Sequence, residues 1–393
     1  MAFLYTYIIM VEKLYINTKY YFGKGAIVDN LSKEINSRRV KTLFLLTGSK
    51  SIKKNGIYNA IMEELKKTKV KVIKHEGIQP NPTAIDCDRA IAQGRRNKVN
   101  MILAVGGGSV IDEAKIVATC LSNPSIEKAW DLVDAEQAPS QRHVPIISVI
   151  TLAATGSESN YGAVITNDET KDKWGVQTPA RPCVCFEDPT YTFSVSKWQT
   201  GSGIFDIFSH LLEQYYDLDN EFEWTRQYLF ANMKVVLKYA KTAMMHPKDY
   251  EARANILWTS TWALNGLASF NLKGDWNAHG LEHALSAVYN ISHGAGLALV
   301  TPTYIKFMCA KSKKFKAKTR ELAKELFNVH SLPEFITHLN SFIKMLKLPA
   351  RYSDFKEIGK IHKKQINILC KTFDRNTPGK HSIGAKVFSR IPK

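Results

Sequence analysis

The first half of the chain alternates short apolar runs with stretches of helical periodicity. The apolar runs lie at residues 41–47, 69–74, 100–105 and 143–150. The first run is followed by a predicted helix that extends through Leu65. Continuous apolar runs are typical of strands buried on both faces, so the alternation predicts a parallel sheet covered by helices. Such sheets bind ligands at the carboxyl ends of their strands.

The second half has a different pattern. After about Ser194 strand-like runs become scarce, and helical periodicity covers residues 204–216, 221–245 and 249–267 and continues past Ala284. We therefore predict an α/β domain at residues 1–194 and an all-helical domain at residues 195–393, with a cleft between them.

Composition is that of an ordinary globular protein, but the charge is high. The 393 residues include 45% hydrophobic and 23% charged residues, and the formal net charge is +18. A charge of this size is also typical of nucleic-acid or anionic-membrane binding. Here the lysines are scattered, and the densest cluster, at residues 311–320, reads as one polar helix face. We expect neither a nucleic-acid nor a membrane partner. The alternative is a basic nucleic-acid-binding module, which would show salt-sensitive retention on DNA or RNA.

The cysteines and the first residues of the sequence indicate the cellular compartment of the protein. The six cysteines contain no CxxC pair and no disulfide-framework spacing, so reduced thiols are expected. The apolar opening from Ala2 to Val11 lacks a basic leading region and a small-residue cleavage site. It is also about half the ~20 residues that a membrane span requires. We predict a cytoplasmic protein.

Five side chains in the second half have the spacing of metal ligands. Asp206 and His210 are four residues apart, as are His279 and His283, and His293 follows. Residues at i and i+4 lie on one helix face. One carboxylate with three imidazoles can hold a divalent cation such as Fe²⁺ or Zn²⁺. Spacing alone leaves open which of the histidines belong to the set.

A glycine-rich segment in the first half is typical of phosphate binding. The run 101–105 leads directly into Gly106-Gly107-Gly108-Ser109 and then into an amphipathic helix. Glycines allow the backbone to approach a pyrophosphate, and a helix N-terminus offers free N–H groups and a positive dipole end. The segment is not the GxGxxG fingerprint, so an ordinary Rossmann domain is a poor match.

Two further segments follow predicted strands. Gly48, Ser49 and Lys50 follow the first strand, and none of residues 47–54 is acidic. An acidic residue there would favour the free ribose hydroxyl of NAD, so its absence favours NADP. Residues 151–158 follow the fourth strand and are rich in hydroxyl groups that can line a dinucleotide.

Together these segments carry a resemblance to one family. The chain resembles the iron-containing (group III) alcohol dehydrogenases, in particular the NADPH-dependent butanol dehydrogenase and aldehyde reductase branch. The resemblance rests on NTKYYFGKGA at 17–26, PNPT at 80–83, GGGSVIDEAK at 106–115, TLAATGSESN at 151–160, GSGIFDIFSHLLE at 201–213, ALNGL at 263–267 and DWNAHGLEHALSAVYNISHG at 275–294.

The resemblance implies a role for individual residues. It implies an N-terminal dinucleotide-binding domain and a C-terminal metal-binding domain, the fold shared with dehydroquinate synthases. The implied metal ligands are Asp206, His210, His279 and His293, while His283 helps to bind substrate and relay a proton. Gly48 stands where the NAD-using branch has an aspartate. The implied cofactor contacts, besides Gly48, Ser49 and Lys50, are Gly107, Gly108, Ser109, Asp112, Thr151, Leu152, Thr155 and Lys173.

The resemblance also implies an activity. We expect reversible hydride transfer between NADP(H) and a small aliphatic alcohol or aldehyde such as butyraldehyde, in a homodimeric enzyme. An NAD-dependent alcohol or diol dehydrogenase of the same family is one alternative. A dehydroquinate synthase-like lyase is another, although Asp206 and the fourth ligand His293 argue against it. The match fades beyond about Leu348, and residues 377–393 are expected to form an exposed or altered end.

Overall fold

The computed structural model describes residues 14–48, 51–134, 141–377 and 381–393. The apolar opening, Ser49 and Lys50 lie outside the described residues. The strands are β1 Lys19–Phe22, β2 Thr42–Gly48, β3 Lys71–Ile78, β4 Met101–Gly106, β5 Ile146–Ile150, β6 Gly162–Asn167, β7 Asp172–Gln177 and β8 Val184–Glu187.

Six of the strands form one parallel sheet in the order β1-β8-β5-β4-β2-β3. The remaining two, β6 and β7, form an antiparallel ribbon. The four predicted strand runs correspond to β2, β3, β4 and β5, although β3 begins later than expected and continues to Ile78. The pattern missed β1, β6, β7 and β8. Of these, β1 and β8 have only four residues each and give little periodic signal.

The central strands β2, β4, β5 and β8 are buried on both faces, which explains their continuous apolar runs, while the edge strands β1 and β3 are partly exposed. Alternate residues of β2 and β4 enter different hydrophobic cores: Phe44 and Ile102 face one, and Leu45 and Leu103 face the other. This alternation follows from the two-residue period of a strand. Helices cover both faces, as the sequence predicts.

The helices of the first half connect and flank the strands. These are α1 Asn30–Ser37, α2 Ser51–Lys54, α3 Ile57–Lys66, α4 Ala84–Arg96, α5 Gly108–Ser122 and α6 Asp131–Asp134. The helices of the second half form a separate core and are α7 Lys197–Tyr215, α8 Glu223–Met245, α9 Tyr250–Ala263, α10 Asn277–Tyr289, α11 His293–Lys311, α12 Lys313–Phe327, α13 Leu332–Met345, α14 Lys363–Asn376 and α15 His381–Phe388. The predicted fold class, an α/β domain followed by an all-helical domain, is confirmed. The boundary at residue 194 remains a prediction.

Two predicted helices differ from expectation, and a left-handed glycine lies at or shortly after each difference. The helix predicted through Leu65 is divided into α2 and α3, because Gly56 has φ of +81°. The helix predicted over 249–267 ends at Ala263, since the following segment turns at Gly266, where φ is +94°.

Of the two expectations for the C-terminal end, exposed or altered, the first is wrong for the described residues 381–393. Residues 381–388 form α15, which packs against α14 and α11. Val387 and Phe388 are fully buried in the helical core, and Ile391 is nearly so. The Tyr352 hydroxyl donates a 3.0 Å hydrogen bond to the carbonyl of Phe388. Apolar side chains at helical spacing anchor the tail despite its basic residues.

Among the described residues, we find no helix with both the length and the apolar character needed to span a bilayer.

Candidate active site

Three helices bring four of the predicted ligands together. Asp206 and His210 lie on α7, His279 lies on α10, and His293 is the first residue of α11. The Oδ1 atom of Asp206 is 3.5 Å from Nε2 of His210, 3.8 Å from Nε2 of His279 and 3.5 Å from Nε2 of His293. Three imidazole nitrogens therefore face one carboxylate oxygen, and the ligand atoms of Asp206, His279 and His293 all lie within 4.8 Å of one another, as a shared divalent cation needs.

The break between α10 and α11 explains how His293 reaches this cluster. Asn290 adopts a left-handed conformation with φ of +51° and ends α10. The chain then reverses, and α11 begins three residues later. A continuous helix would have carried His293 away from His279.

The cluster fits a bound cation. Asp206, His210 and His279 are buried, and neither Asp206 Oδ1 nor His279 Nε2 has a hydrogen-bond partner in the described part of the chain. Burial lowers the pKa of His210 to about 3, which keeps its imidazole neutral and able to act as a ligand. Burial disfavours the charged form of Asp206, but the imidazoles of His210 and His293 outweigh this and lower its pKa.

Two carboxylates lie behind the ligands, a role that the sequence did not reveal for either of them. Glu213 Oε1 is 2.5 Å from Nδ1 of His279, and Glu282 Oε2 hydrogen-bonds Nδ1 of His293. Both glutamates are buried. A carboxylate on Nδ1 fixes the ring and leaves Nε2 for a metal. The available signal was spacing, since Glu213 lies seven residues after Asp206 on the same face of α7.

His283 occupies a different position from the four. Its ring centroid is 5.6 Å from that of His293, and it lines the cleft described below. Burial lowers its pKa well below the usual value, and the nearby Lys173 ammonium adds to this effect. Lys173, on β7, is 3.0 Å from Asn81 Oδ1 and 3.7 Å from Glu282 Oε2. The predicted cofactor lysine thus contacts the carboxylate behind His293.

The predicted phosphate loop lies at the junction between β4 and α5. Gly107 is the N-cap residue of α5, and no side chain caps the helix. The amide of Thr151 donates a 3.0 Å hydrogen bond to the carbonyl of Gly106, so the ends of β4 and β5 are adjacent. The N-terminus of α5 and the hydroxyl-rich segment therefore share the carboxyl edge of the sheet.

Glycine is required at two positions of the loop for steric reasons, since a Cβ atom on Gly106 would lie 2.5 Å from Cγ2 of Val110 and Gly108 is equally crowded. A Cβ atom on Gly108 would lie 2.3 Å from Oγ1 of Thr155. At Gly107 the nearest atom, in Leu152, would be 3.4 Å away, an ordinary contact. Thr155 and Leu152 thus pack directly against the loop, as two of the residues predicted to line the cofactor site.

Asp112 lines the cleft, but its carboxylate is engaged within the protein. Its oxygens accept hydrogen bonds from the Ser157 hydroxyl at 2.5 Å and the Val164 amide at 3.1 Å. The buried Lys115 ammonium donates to Ser157 at 2.8 Å and to the carbonyl of Gly162 at 2.6 Å. This network holds α5 against β6 and the segment after β5.

The third predicted cofactor segment is described only in part. Gly48 ends β2, next to β4 in the sheet, and therefore lies at the same edge as the phosphate loop. Ser49 and Lys50 lie outside the described residues. The nearby Lys53 is paired with Glu76 at 3.0 Å, so an acidic side chain that the sequence analysis did not consider stands close to this segment.

One cleft of about 760 Å³ joins the two groups of residues. Its walls include Ser109, Asp112, Thr155 and Lys173 from the first half. From the second half they include His210, His279, His283 and His293. A cavity of this size accommodates a cofactor together with a small substrate. A dinucleotide bound at the loop and a cation bound in the cluster would thus occupy the same cleft.

Two family models match most of the chain. A family model described as "Iron-containing alcohol dehydrogenase" matches residues 17–189. A second, described as "Fe-containing alcohol dehydrogenase family, C-terminal", matches residues 200–372.

Individual relatives match over nearly the whole chain. NADH-dependent butanol dehydrogenase A from Clostridium acetobutylicum is 36% identical over 93% of this chain and 93% of its own length. NADPH-dependent aldehyde reductase YqhD from Escherichia coli is 31% identical over 87% of this chain and 88% of its own. The crystal structure of NADH-dependent butanol dehydrogenase A from Thermotoga maritima aligns with a TM-score of 0.90 at 31% identity, covering 98% and 99% of the two chains.

Proposed function

The chain belongs to the iron-containing alcohol dehydrogenase family, and we propose that it interconverts a small aliphatic aldehyde and the corresponding alcohol with NADP(H) and one divalent metal ion. The single observation that carries the proposal is the shared cleft. It is lined by the N-terminal residues of α5 and by three histidines that surround Asp206.

The proposed ligands are Asp206, His210, His279 and His293. When bound, a divalent cation supplies a Lewis acid for a carbonyl oxygen, and the nicotinamide supplies or accepts the hydride. Either Fe²⁺ or Zn²⁺ suits a set of one carboxylate and three imidazoles.

The surrounding protein residues orient the ligands. Glu213 and Glu282 accept hydrogen bonds from the Nδ1–H groups of His279 and His293 and so direct both Nε2 atoms towards Asp206. Lys173 lies close to Glu282 and balances its buried charge. These contacts keep the cluster in one geometry before substrate arrives.

We assign proton relay to His283. Burial and the Lys173 charge favour its neutral form. A neutral imidazole can accept a proton on one nitrogen while it releases another from the second nitrogen. Because His283 lines the cleft, it can connect the substrate oxygen with solvent.

A purified-enzyme assay tests the function. The metal-replete protein should oxidise NADPH with butyraldehyde, lose the activity after chelation and regain it when Fe²⁺ or Zn²⁺ is restored. A dehydroquinate synthase-like lyase would give no net NADPH consumption, and that result with an aldehyde panel would reject the proposal.

The preference for NADP is the finer part of the proposal. Residues 47–54 contain no acidic side chain, and Gly48 ends β2 beside the phosphate loop. The names of the relatives point both ways, to NADPH for the E. coli protein and to NADH for the Clostridium protein. We expect a higher kcat/KM with NADPH than with NADH.

A pair of variants isolates the role of Gly48. A Cβ there meets its nearest neighbours only at 3.7 Å, so Gly48→Ala controls for size. Gly48→Asp should shift the preference towards NADH, because a carboxylate repels a 2′-phosphate and binds a free ribose hydroxyl. NADH preferred by the unaltered enzyme would reject the assignment.

We further propose a cytoplasmic homodimer. Its six cysteines are free of disulfide bonds, as in reducing compartments. Phe22 on the edge strand β1 is 42% exposed, and it packs against Trp258, which is 37% exposed. Large aromatic side chains beside an open strand edge favour a self-interface. Light scattering should give twice the chain mass, and Phe22→Glu should give the monomer.

A further inference from the structure

A second group of potential ligands lies outside the cleft. It consists of His75 on β3, Asp86 on α4 and Glu113 on α5, and one ligand atom of each lies within 4.8 Å of the others. Nε2 of His75 is 3.2 Å from Oε1 of Glu113 and 3.5 Å from Oδ1 of Asp86. None of the three lines the cleft.

The burial and unsatisfied hydrogen bonding of the Glu113 side chain distinguish this group from an ordinary cluster of surface carboxylates. It is 0% exposed, and over the described residues neither of its carboxylate oxygens has a hydrogen-bond partner. Nε2 of His75 also lacks one. Burying a carboxylate without a hydrogen-bond donor costs free energy. The Glu113 oxygens and His75 Nε2 therefore require a further partner.

We propose that His75, Asp86 and Glu113 bind a second divalent cation, of the Zn²⁺ class. Bonds of about 2.0–2.1 Å at tetrahedral angles place ligand atoms roughly 3.3–3.4 Å apart. The two separations from His75 Nε2, 3.2 Å and 3.5 Å, bracket that value. With a neutral imidazole the group carries two negative charges, which a divalent cation balances.

The site is accessible from one side. The Asp86 side chain is 26% exposed, so an ion and a water ligand can reach it from solvent. The Arg89 guanidinium lies 3.7 Å from Asp86 Oδ1, but its side chain is 72% exposed and is free to move away. The Glu113 and His75 side chains, 0% and 12% exposed, form the inner wall.

The cation would tie together three elements that support the phosphate loop. β3 is the edge strand of the sheet, α4 follows it, and α5 carries the loop at its N-terminus. Glu113 directly follows Asp112, which holds α5 against β6. The site is therefore structural, distinct from the cluster around Asp206, and does not depend on the proposed reaction.

Zinc stoichiometry tests the proposal. Wild type, Glu113→Gln and Asp86→Asn are stripped with chelator, reloaded with excess Zn²⁺ and desalted, and zinc per chain is measured by mass spectrometry. Wild type should hold one equivalent more than either variant. Glu76→Gln is the matched control, because Glu76 lies on the same strand but pairs with Lys53, and it should hold as much zinc as wild type.

A second pair of variants separates this site from the other cluster. Asp206→Ala should still hold one equivalent, and adding Glu113→Gln to it should remove that equivalent. Equal zinc content in wild type, Glu113→Gln and Asp86→Asn would overturn the proposal and leave a His75 ion pair. Should Glu113→Gln fail to fold, the partly exposed Asp86 still provides the test.

Discussion

The predicted phosphate loop and the proposed metal cluster face the same cleft, but they are built in opposite ways. The loop is a contiguous strand-to-helix junction, residues 106–109, and offers backbone groups. The cluster gathers side chains from α7, α10 and α11 and supports them with the buried carboxylates of Glu213 and Glu282.

The difference determines what each region tolerates. In the loop the constraint is space, since an added Cβ on Gly108 would collide with Thr155. In the cluster the constraint is charge and orientation. The buried ligands depend on neighbouring side chains to balance their charge and to hold their rings in position. Substitutions in one region should therefore leave the binding function of the other nearly intact.

The largest effect is expected in the cluster. Asp206→Ala removes the carboxylate that three histidines face, so the enzyme should lose this metal and at least ~1000-fold in kcat. Its Kd for NADPH, measured by fluorescence titration, should change little. Ser209→Ala, on the same helix, is the control and should behave like wild type. A metal-replete, active Asp206→Ala enzyme would reject the ligand assignment.

The corresponding change in the loop is Gly108→Ala. Overpacking costs about 1–3 kcal/mol, which corresponds to roughly a 5- to 150-fold loss of NADPH affinity if the strain falls on the loop. Metal content should stay unchanged. Gly107→Ala meets Leu152 only at an ordinary distance and should have a smaller effect in the same titration. Equal losses in the two variants would mean that contact with Thr155 is not the constraint.

Glu213→Gln tests the support behind His279. Loss of a carboxylate behind a ligating histidine lowers metal affinity about 10- to 100-fold. Activity should therefore fall at limiting metal and recover in excess metal, while the Kd for NADPH is unaffected. Glu321→Gln, which contacts Tyr215 away from the cluster, is the control. Activity that excess metal fails to restore would show that Glu213 does more than orient the ring.

Lys115 should give the loop-bearing domain a distinctive alkaline response. Burial lowers the pKa of its ammonium from 10.5 to about 8. Between these two values the unfolded chain binds the proton and the folded chain does not, so the free energy of unfolding should rise with pH. The gain is on the order of 2–3 kcal/mol from pH 8 to 10.5. Urea unfolding of Lys115→Met should lack this rise, and equal slopes would contradict it.

Asp217 should give the helical domain the opposite response, in acid. Burial disfavours its charge, but hydrogen bonds from the amides of Asn220 and Lys273 outweigh this and lower its pKa from 3.8 to about 2. The stabilisation is complete above about pH 4 and is lost as the pH falls through 2, by about 2 kcal/mol. Asp217→Asn should reduce the acid dependence of unfolding of the chelated protein. An unchanged profile would contradict this.

The same comparison explains what sequence could predict. The loop, β4 and the start of α5 are contiguous, so local pattern located them, and i, i+4 spacing located Asp206 with His210. Sequence spacing could not separate His283 from the ligands, because that depends on how α10 meets α11. It also missed Glu213 and Glu282, whose roles arise only when three helices pack. The packed tail at α15 was missed because its contacts are non-local.

The measurement that tests the central claim most directly is transfer of deuterium within the shared cleft. Metal-replete enzyme is given NADPH carrying deuterium at the transferred C4 position together with butyraldehyde, and the butanol is analysed by mass spectrometry. We predict one deuterium at C1 of butanol, and none from chelated enzyme that still binds NADPH. Butanol without deuterium, or undiminished transfer after the metal is removed, would contradict the account.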